Sequence, residues 1–80
     1  MAAKLEQYRV FKEVADTGNI SGTAKRLYLS QSAVSQSVKL LEQELGVRLF
    51  SRTARGVTLT SEGRLLYDYA SRALALLEAG

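Results

Sequence analysis

The sequence predicts a mainly α-helical domain made of three helices, a small two-stranded β-hairpin and a long final helix. In several stretches apolar residues recur at spacings of three and four, which is the period of a helix with one face on a core. Residues 47–59 instead show two short β-prone runs separated by a polar connection that ends in glycine, a pattern typical of a hairpin. Eighty residues suffice for one small domain with a limited core.

The stretch from residue 30 to residue 46 is the longest of the first three predicted helices. Ser30 is placed to cap its start, and Gly46 is placed to end it in the left-handed conformation. We expect one apolar stripe to face the core: Val34, Val38, Leu41 and Leu45. The opposite face carries hydrogen-bonding groups, one cation and no anion: Ser32, Ser35, Gln36, Lys39 and Gln43. Such side chains suit base edges and phosphates in a DNA major groove, although an ordinary amphipathic surface helix would show the same pattern.

Two shorter helices are predicted before this one. The first covers residues 4–17, ends at Gly18 and buries Tyr8, Phe11, Val14 and Ala15, with Leu5 at the edge of the stripe. The second runs from about residue 21 to residue 27 with Ala24 and Leu27 inward, and Leu29 in the following connection is expected in the core. This order gives a helix-turn-helix. Asn19 and Ser21 offer polar atoms to start the second helix, and Ser21 is placed to cap it, to meet a phosphate there, or to do both.

The hairpin is predicted from residues 47–51 and 57–59, joined by the polar residues 52–56. Its inward side chains are expected to be Leu49, Phe50, Val57 and Leu59. Arg52 and Arg55 lie in the connection, where they would reach a DNA backbone or a narrow minor groove; a solvated hairpin tip is the alternative. A hairpin beside a helix-turn-helix makes the predicted fold a winged helix-turn-helix.

The final helix follows a predicted cap at Thr60 and has an apolar arc wider than one core requires. One stripe contains Leu66, Ala70, Ala73 and Leu77, and a second contains Leu65, Tyr69 and Leu76. Two partners would explain the width, namely the rest of the domain and a second copy of the chain. We therefore assign to dimerisation Leu66, Tyr69, Ala70, Ala73 and Leu77. Cover by a continuation of the chain is the other interpretation.

Composition narrows the classes of function. The chain has no cysteine and no histidine, which excludes disulfides, zinc-finger sites and Ser-His or Cys-His catalytic pairs. We therefore predict no enzyme activity, no metal and no cofactor. The sequence has no apolar run of membrane-spanning length, so we expect a cytoplasmic protein with no membrane partner. Residues 19–60 hold six cations and two anions, a net charge of +4 within a total of +3, and this positive region favours a polyanionic partner.

An ordered set of segments resembles the N-terminal DNA-binding domain of LysR-type bacterial transcriptional regulators. The resemblance extends from Leu5 to Leu77 and rests on residues 11–15, 23–27, 29–35, 41–50, 52–53 and 56–60. It implies a winged helix-turn-helix over residues 1–59 and a linker helix over residues 60–80 that pairs antiparallel with its counterpart in a dimer. We expect that helix to be truncated, and the effector-binding domain that takes a small-molecule inducer in this family to be absent.

The resemblance also implies which residues contact double-stranded DNA. The base-facing positions of the family fall on Gln31, Ser32, Ser35, Gln36 and Lys39, and the wing contacts fall on Arg52, Thr53 and Arg55. The family often has proline where this chain has Ser32, and arginine where it has Gln36. We expect Gln36 to pair with adenine and Lys39 to reach guanine or a phosphate.

The predicted function is therefore sequence-specific binding to an inverted-repeat promoter site by a dimer located at the nucleoid. The alternative is a winged helix that serves as a protein-interaction or dimerisation module without DNA binding. A protein interface would favour large apolar or aromatic anchors on the polar face of the third helix, and Ser32, Ser35, Gln36 and Lys39 supply none.

Overall fold

The computed structural model describes residues 5–79, which form four helices and one antiparallel two-stranded sheet. In chain order the elements are α1 (Leu5–Thr17), α2 (Ile20–Leu27), α3 (Gln31–Leu45), β1 (Phe50–Thr53), β2 (Gly56–Leu59) and α4 (Ser61–Ala79). The predicted fold class, a winged helix-turn-helix followed by a long helix, is confirmed. Lys4, where we placed the start of the first helix, lies outside the described residues.

The predicted helix caps of α3 and α4 are present. The backbone N–H of Ala33 donates to Ser30 Oγ at 3.1 Å at the start of α3. At the other end, Gly46 adopts φ +71° and its N–H donates to the Glu42 carbonyl at 2.8 Å, as expected of a left-handed C-terminal residue. Thr60 Oγ1 accepts from the N–H of Gly63 at 3.0 Å and so caps α4.

The start of α2 differs from the prediction by one residue and by the identity of its cap. The Asn19 side chain accepts a hydrogen bond from the N–H of Gly22, and the helix begins at Ile20. Ser21 is therefore the second helical residue and does not cap the helix. Asparagine is among the strongest N-cap residues, and the pair Asn19 and Ser21 left this choice open in the sequence.

The core lies where α1, α2, α3, the hairpin and α4 meet. Its buried members include Val10, Phe11, Val14, Ala24, Val34, Val38, Leu41, Leu49, Phe50 and Ala70. Most of the two predicted stripes is thus in the core, but Ala15 on α1 is only partly buried, and the buried Val10 belonged to neither stripe. The rings of Phe11 and Phe50 have centroids 5.4 Å apart at an angle of 53°, a favourable tilted aromatic pair. Tyr8, Leu27, Val57 and Leu59 are partly buried against this core.

Two leucines predicted in the core are instead largely at the surface. Leu29 is 37% exposed and Leu45 is 41% exposed. Leu29 is held through its backbone, because its N–H donates to the Ala24 carbonyl at 2.9 Å and closes the end of α2. Leu45 is the last residue of α3, just before the chain turns at Gly46, and no element of residues 5–79 covers its side chain fully.

The first strand begins three residues later than predicted. β1 pairs with β2 from Phe50 opposite Leu59 to Thr53 opposite Gly56, which leaves a two-residue turn. The residues before it are tied to α3, because Glu42 Oε2 accepts from the N–H of Leu49 at 2.7 Å and from that of Phe50 at 3.3 Å. Glu42 thus connects α3 to the start of the wing through its side chain.

The hairpin is anchored to the turn between α1 and α2. The N–H of Val57 donates to the Gly18 carbonyl at 3.0 Å. Gly56 adopts φ +145°, and a Cβ atom at this position would collide with that same carbonyl oxygen. Glycine is thus required here for both its backbone conformation and its lack of a side chain, and the wing is held in a fixed place beside the helix-turn-helix.

The first turn of α4 packs directly against the segment that precedes the hairpin. Thr60 donates through its N–H to the Leu49 carbonyl at 3.0 Å and through Oγ1 to the Arg48 carbonyl at 2.6 Å. A Cβ at Gly63 would collide with the Leu49 oxygen. Further along, Ala70 and Leu74 are buried, and the exposed apolar side chains of α4 include Leu65, Tyr69, Leu76 and Leu77.

Candidate nucleic-acid interface

The polar face of α3 is accessible along most of its length. Gln31, Ser32, Gln36 and Lys39 are exposed, and Ser35 is half-buried. Because Val34, Val38 and Leu41 on the other side are buried, the helix cannot rotate without removing its apolar face from the core. The fold therefore fixes which side chains α3 presents to a partner.

An open groove of about 640 Å³ lies between α3 and the hairpin. We call it the α3–wing groove. Ser35 and Lys39 line it from α3, and Arg52 lines it from β1. Apolar side chains, among them Val38 and Phe50, also line it. Three residues that the sequence predicted as DNA contacts, from two separate elements, thus border one surface depression.

The other predicted contacts are exposed but do not line this groove. They are Ser21 on α2, Gln31, Ser32 and Gln36 on α3, and Thr53 and Arg55 at the hairpin. Ser32 Oγ lies 3.2 Å from the Oγ of the capping Ser30, so its hydroxyl is close to the first turn of the helix.

Thr53 shapes the hairpin tip. Its Oγ1 accepts from the N–H of Arg55 at 3.3 Å and donates to the Gly56 carbonyl at 3.3 Å. These two bonds hold the tight turn that presents the Arg55 side chain. The threonine thus has a structural role in the turn, which its position in the sequence did not indicate, in addition to the contact that the resemblance implies.

Charge is distributed unevenly over the described residues. All three ion pairs of residues 5–79 have a member on α1: Arg9–Glu78, Lys12–Asp16 and Arg26–Glu13, at 2.8, 2.8 and 2.9 Å. Arg26, which the sequence analysis counted in the positive region, is thus partly neutralised. Within the same range Lys39, Arg48 and Arg52 form no ion pair, so the cations beside the groove remain available to an anion.

Two charged residues that line the groove were not among the predicted site residues. Arg48 lines the groove and was predicted only as one of the six cations of residues 19–60. Its position two residues after Gly46, where the chain leaves α3 toward the hairpin, could have indicated that it lies between the two elements. Glu42 also lines the groove, and its carboxylate would repel phosphates. That carboxylate accepts from two backbone N–H groups, which provide local positive dipoles beside it.

The described part of the chain has neither side chains grouped to bind a metal ion nor a helix able to span a membrane. Residues 5–79 contain no group of three or more acidic, histidine or cysteine side chains arranged to hold a metal ion. None of the helices in that range combines the length and the apolar character needed to cross a bilayer.

Comparison with known proteins agrees with this geometry. A family model described as a bacterial regulatory helix-turn-helix protein of the lysR family matches residues 5–64. The HTH-type transcriptional regulator ClcR of Pseudomonas putida is 44% identical over 75 residues, which are 94% of this chain and 26% of ClcR. An uncharacterised HTH-type transcriptional regulator of Azotobacter vinelandii is 47% identical over 74 residues, covering 92% of this chain and 51% of that protein.

Solved structures with the same fold include two complexes with DNA. The CbnR_DBD–DNA complex superposes with a TM-score of 0.90 at 37% identity, covering 95% of this chain and 87% of that one. The BenM_DBD complex with catB site 1 DNA gives a TM-score of 0.91 at 32% identity, covering 95% and 84%. This chain spans about a quarter of ClcR and about half of the Azotobacter protein.

The fold and the surface of α3 define a winged helix-turn-helix DNA-binding domain. The chain belongs to the LysR family of transcriptional regulators. Membership in a family of regulators confirms the prediction that it is not an enzyme.

Proposed function

We propose that this domain reads an inverted-repeat promoter site as a dimer, with α3 of each copy in a major groove. The observation that carries this proposal is that Ser35, Lys39 and Arg52 border one groove between α3 and the wing. A major groove admits an α-helix, and an adjacent hairpin then reaches the flanking backbone or minor groove. The CbnR and BenM domains, which have closely similar folds, are bound to DNA in their solved structures.

Some of the amide, hydroxyl and ammonium groups on the polar face of α3 are proposed to contact bases, and others to contact phosphates. Gln36 is proposed to pair with adenine through its side-chain amide, and Lys39 to reach guanine or a phosphate. Gln31, Ser32 and Ser35 lie earlier on the same face and offer further donors and acceptors to base edges. Serine at position 32 and glutamine at position 36 replace residues that are common in the family. We therefore expect this chain to prefer different bases at the contacts made by these two side chains.

The wing and α2 are proposed to contact the sugar-phosphate backbone of the DNA. Arg52, Thr53 and Arg55 extend along the hairpin from the groove to the turn, where they meet phosphates or enter a narrow minor groove. Ser21 in the first turn of α2 offers its hydroxyl to a phosphate. Contacts of this kind position a protein on the duplex and carry little sequence information.

Dimerisation is proposed to use the exposed apolar side of α4. Of the five residues assigned to it from the sequence, Tyr69, Ala73 and Leu77 are exposed, while Leu66 is half-buried and Ala70 is buried in the domain's own core. The second copy would therefore meet Tyr69, Ala73 and Leu77 together with the exposed Leu65 and Leu76. An exposed row of this kind on a regular helix is typical of a helix-pairing surface.

Residues 1–59 are proposed as the DNA-binding unit and residues 60–80 as the linker helix. In a longer protein, a further domain would bind a small inducer and act through that helix. Binding to a bacterial promoter places the proposed activity in the cytoplasm, at the nucleoid.

The test of base reading is Gln36→Ala in the 80-residue chain, after its preferred site has been selected from random duplexes. We expect a loss of about 1–3 kcal/mol in discrimination at one base pair, with little change on scrambled duplex. Fluorescence anisotropy with both duplexes at a fixed salt concentration measures the two affinities.

The matched control for this test is Glu44→Ala, a change at another exposed residue of α3 that does not line the groove. It should leave discrimination at that base pair unchanged. Equal losses for Gln36→Ala on the selected and scrambled duplexes would refute the base-reading role, and failure to select any inverted repeat would refute the dimeric mode of binding.

A further inference from the structure

A polar cluster joins the second turn of α4 to the last part of α1. The Tyr67 hydroxyl donates to Asp16 Oδ1 at 2.5 Å, and Lys12 Nζ donates to Asp16 Oδ2 at 2.8 Å. Lys12 Nζ also lies 5.8 Å from the centroid of the Tyr67 ring, within the range of a cation–π contact. We call Lys12, Asp16 and Tyr67 the α1–α4 clamp. None of the three lines the α3–wing groove.

The clamp contacts α4 just beyond its first turn, and the contacts that hold the first turn do not fix the rest of the helix. Thr60 and Gly63 hold that first turn against residues 48 and 49. Near the far end, the Arg9–Glu78 ion pair is about half exposed at both side chains, 47% and 58%, and such pairs contribute little. Between these points α4 is held by the packing of Leu66, Ala70 and Leu74 and by the clamp, which supplies the polar contacts that orient the helix on α1.

A small change in the direction of α4 would displace its far end by a distance comparable to the spacing of base pairs in DNA. α4 has 19 residues, and a helix of that length is about 28 Å long. Tilting a rod of about 28 Å by about 5° moves its far end by about 2.4 Å, and two copies in a dimer add their displacements to about 5 Å. One base-pair step is about 3.4 Å, so the combined displacement that this tilt produces exceeds one step.

We propose that Asp16 and Tyr67 are positioning residues that set the half-site spacing which the dimer accepts. This inference rests on the proposed function, because it requires pairing of two copies through α4. The hydroxyl of Tyr67 and the carboxylate of Asp16 hold α4 at one angle to α1, and α1 packs on α3 through the shared core. The angle between the dimerisation helix and the DNA-reading helix is thereby fixed.

The experiment uses duplexes that carry two copies of the selected half-site at spacings differing by one and two base pairs, and one duplex with a single half-site. Wild-type chain should prefer one spacing by about ten-fold, the scale of one lost base contact. Tyr67→Phe keeps the ring in place and removes the hydroxyl. This variant and Asp16→Ala should each reduce the preference to about three-fold or less, with single half-site affinity unchanged.

Tyr8→Phe is the matched control, since it removes a hydroxyl from a tyrosine of α1 that packs against the same core and that belongs to neither the clamp nor the groove. Its spacing preference should equal that of wild-type chain. An unaltered preference in both clamp variants would overturn the proposal, as would an equal loss of affinity on every duplex, which indicates general unfolding. If wild-type chain itself shows no preference for paired half-sites, the dimeric function fails first and the inference fails with it.

Discussion

Tyr28 occupies a backbone conformation that tyrosine rarely adopts. It ends α2 at φ +57° and ψ +41°, and its N–H donates to the carbonyls of Ala24 and Lys25. Its side chain is 95% exposed, so little packing offsets the strain. The left-handed conformation costs a residue with a Cβ about 1–2 kcal/mol. The tight connection between α2 and α3 therefore lowers the free energy of unfolding of the domain.

Replacing Tyr28 by asparagine should stabilise the domain. Asparagine tolerates the left-handed region, so Tyr28→Asn is expected to raise the free energy of unfolding by about 0.5–1 kcal/mol. Urea denaturation followed by circular dichroism measures this change. Tyr28→Ala, which removes the exposed ring but keeps the Cβ, should give no comparable gain. An equal gain in both variants would show that the ring rather than the backbone is responsible.

Glu42 illustrates a charged side chain that acts as a structural connector. Its carboxylate accepts from the N–H groups of Leu49 and Phe50, and those residues would otherwise begin the wing with two unpaired donors beside the core. Glu42→Ala should therefore lower the free energy of unfolding by about 1.5–3 kcal/mol, the range for hydrogen bonds to a charged group.

Glu42→Gln keeps one acceptor oxygen and should lose less stability than Glu42→Ala. Glu44→Ala on the same helix should change the free energy of unfolding by less than about 0.5 kcal/mol, as is usual for surface substitutions. The comparison fails if the alanine variants at positions 42 and 44 give the same midpoint in urea.

At the scale of elements, the contact between α1 and α4 depends on ionisation. Burial alone would raise the pKa of Asp16, but hydrogen bonds from Lys12 and Tyr67 outweigh it and hold that pKa below its ordinary value of 3.8. The hydrogen bond to Asp16 raises the pKa of Tyr67 above 10.0, and the same carboxylate raises the pKa of Lys12 above 10.5. The clamp is therefore intact across the neutral range.

The sign of the Asp16 shift predicts loss of the clamp in acid. A carboxyl group with a lowered folded-state pKa contributes stability above its unfolded value and loses it as the pH falls through the folded value. The stability difference between wild-type chain and Asp16→Asn should therefore be constant from pH 5 to pH 7 and should shrink below pH 3.8. Urea titrations of both proteins at several pH values measure it, and the subtraction removes the contribution of the other carboxyl groups. A difference that grows in acid would contradict the assignment.

Helix positions were predictable because caps and apolar periodicity are local signals. Ser30, Gly46 and Thr60 took their expected roles. The missed features depend on contacts distant in sequence. The first strand begins at Phe50 because a carboxylate on α3 accepts hydrogen bonds from the N–H groups of Leu49 and Phe50. Leu74 is buried although neither predicted stripe of α4 included it.

The sequence predicted which side chains α3 presents on its polar face, but it did not predict the groove that brings some of them close to the wing. Periodicity placed Ser35 and Lys39 on the polar face of α3, and both line the α3–wing groove. That Arg52 borders the same groove depends on Gly56 and on the anchoring of Val57 to the Gly18 carbonyl, which no spacing in the sequence reveals.

At the scale of the whole molecule, ion pairing separates a neutralised region from a positive one. The three ion pairs of residues 5–79 all include α1, while Lys39, Arg48 and Arg52 face the groove outside any ion pair in that range. A groove lined by three cations that are unpaired within the described residues, on a domain whose described ion pairs all include α1, favours one orientation of a bound polyanion. Affinity for DNA should therefore depend on salt mainly through the groove and the wing.

Arg52→Ala tests this separation of charge. Each phosphate contact contributes about 0.9 to the slope of log affinity against log salt, so the variant should flatten that slope by about 0.9 per copy on selected and scrambled duplexes alike. Arg64→Ala removes an equal charge from an exposed residue of α4 that does not line the groove, and its slope should match that of wild-type chain. Anisotropy titrations at four or more salt concentrations give both slopes. Should the two variants flatten the slope equally, net charge rather than the placement of Arg52 would govern binding; should Arg52→Ala alter sequence preference while leaving the slope intact, the side chain would read bases instead of holding phosphates.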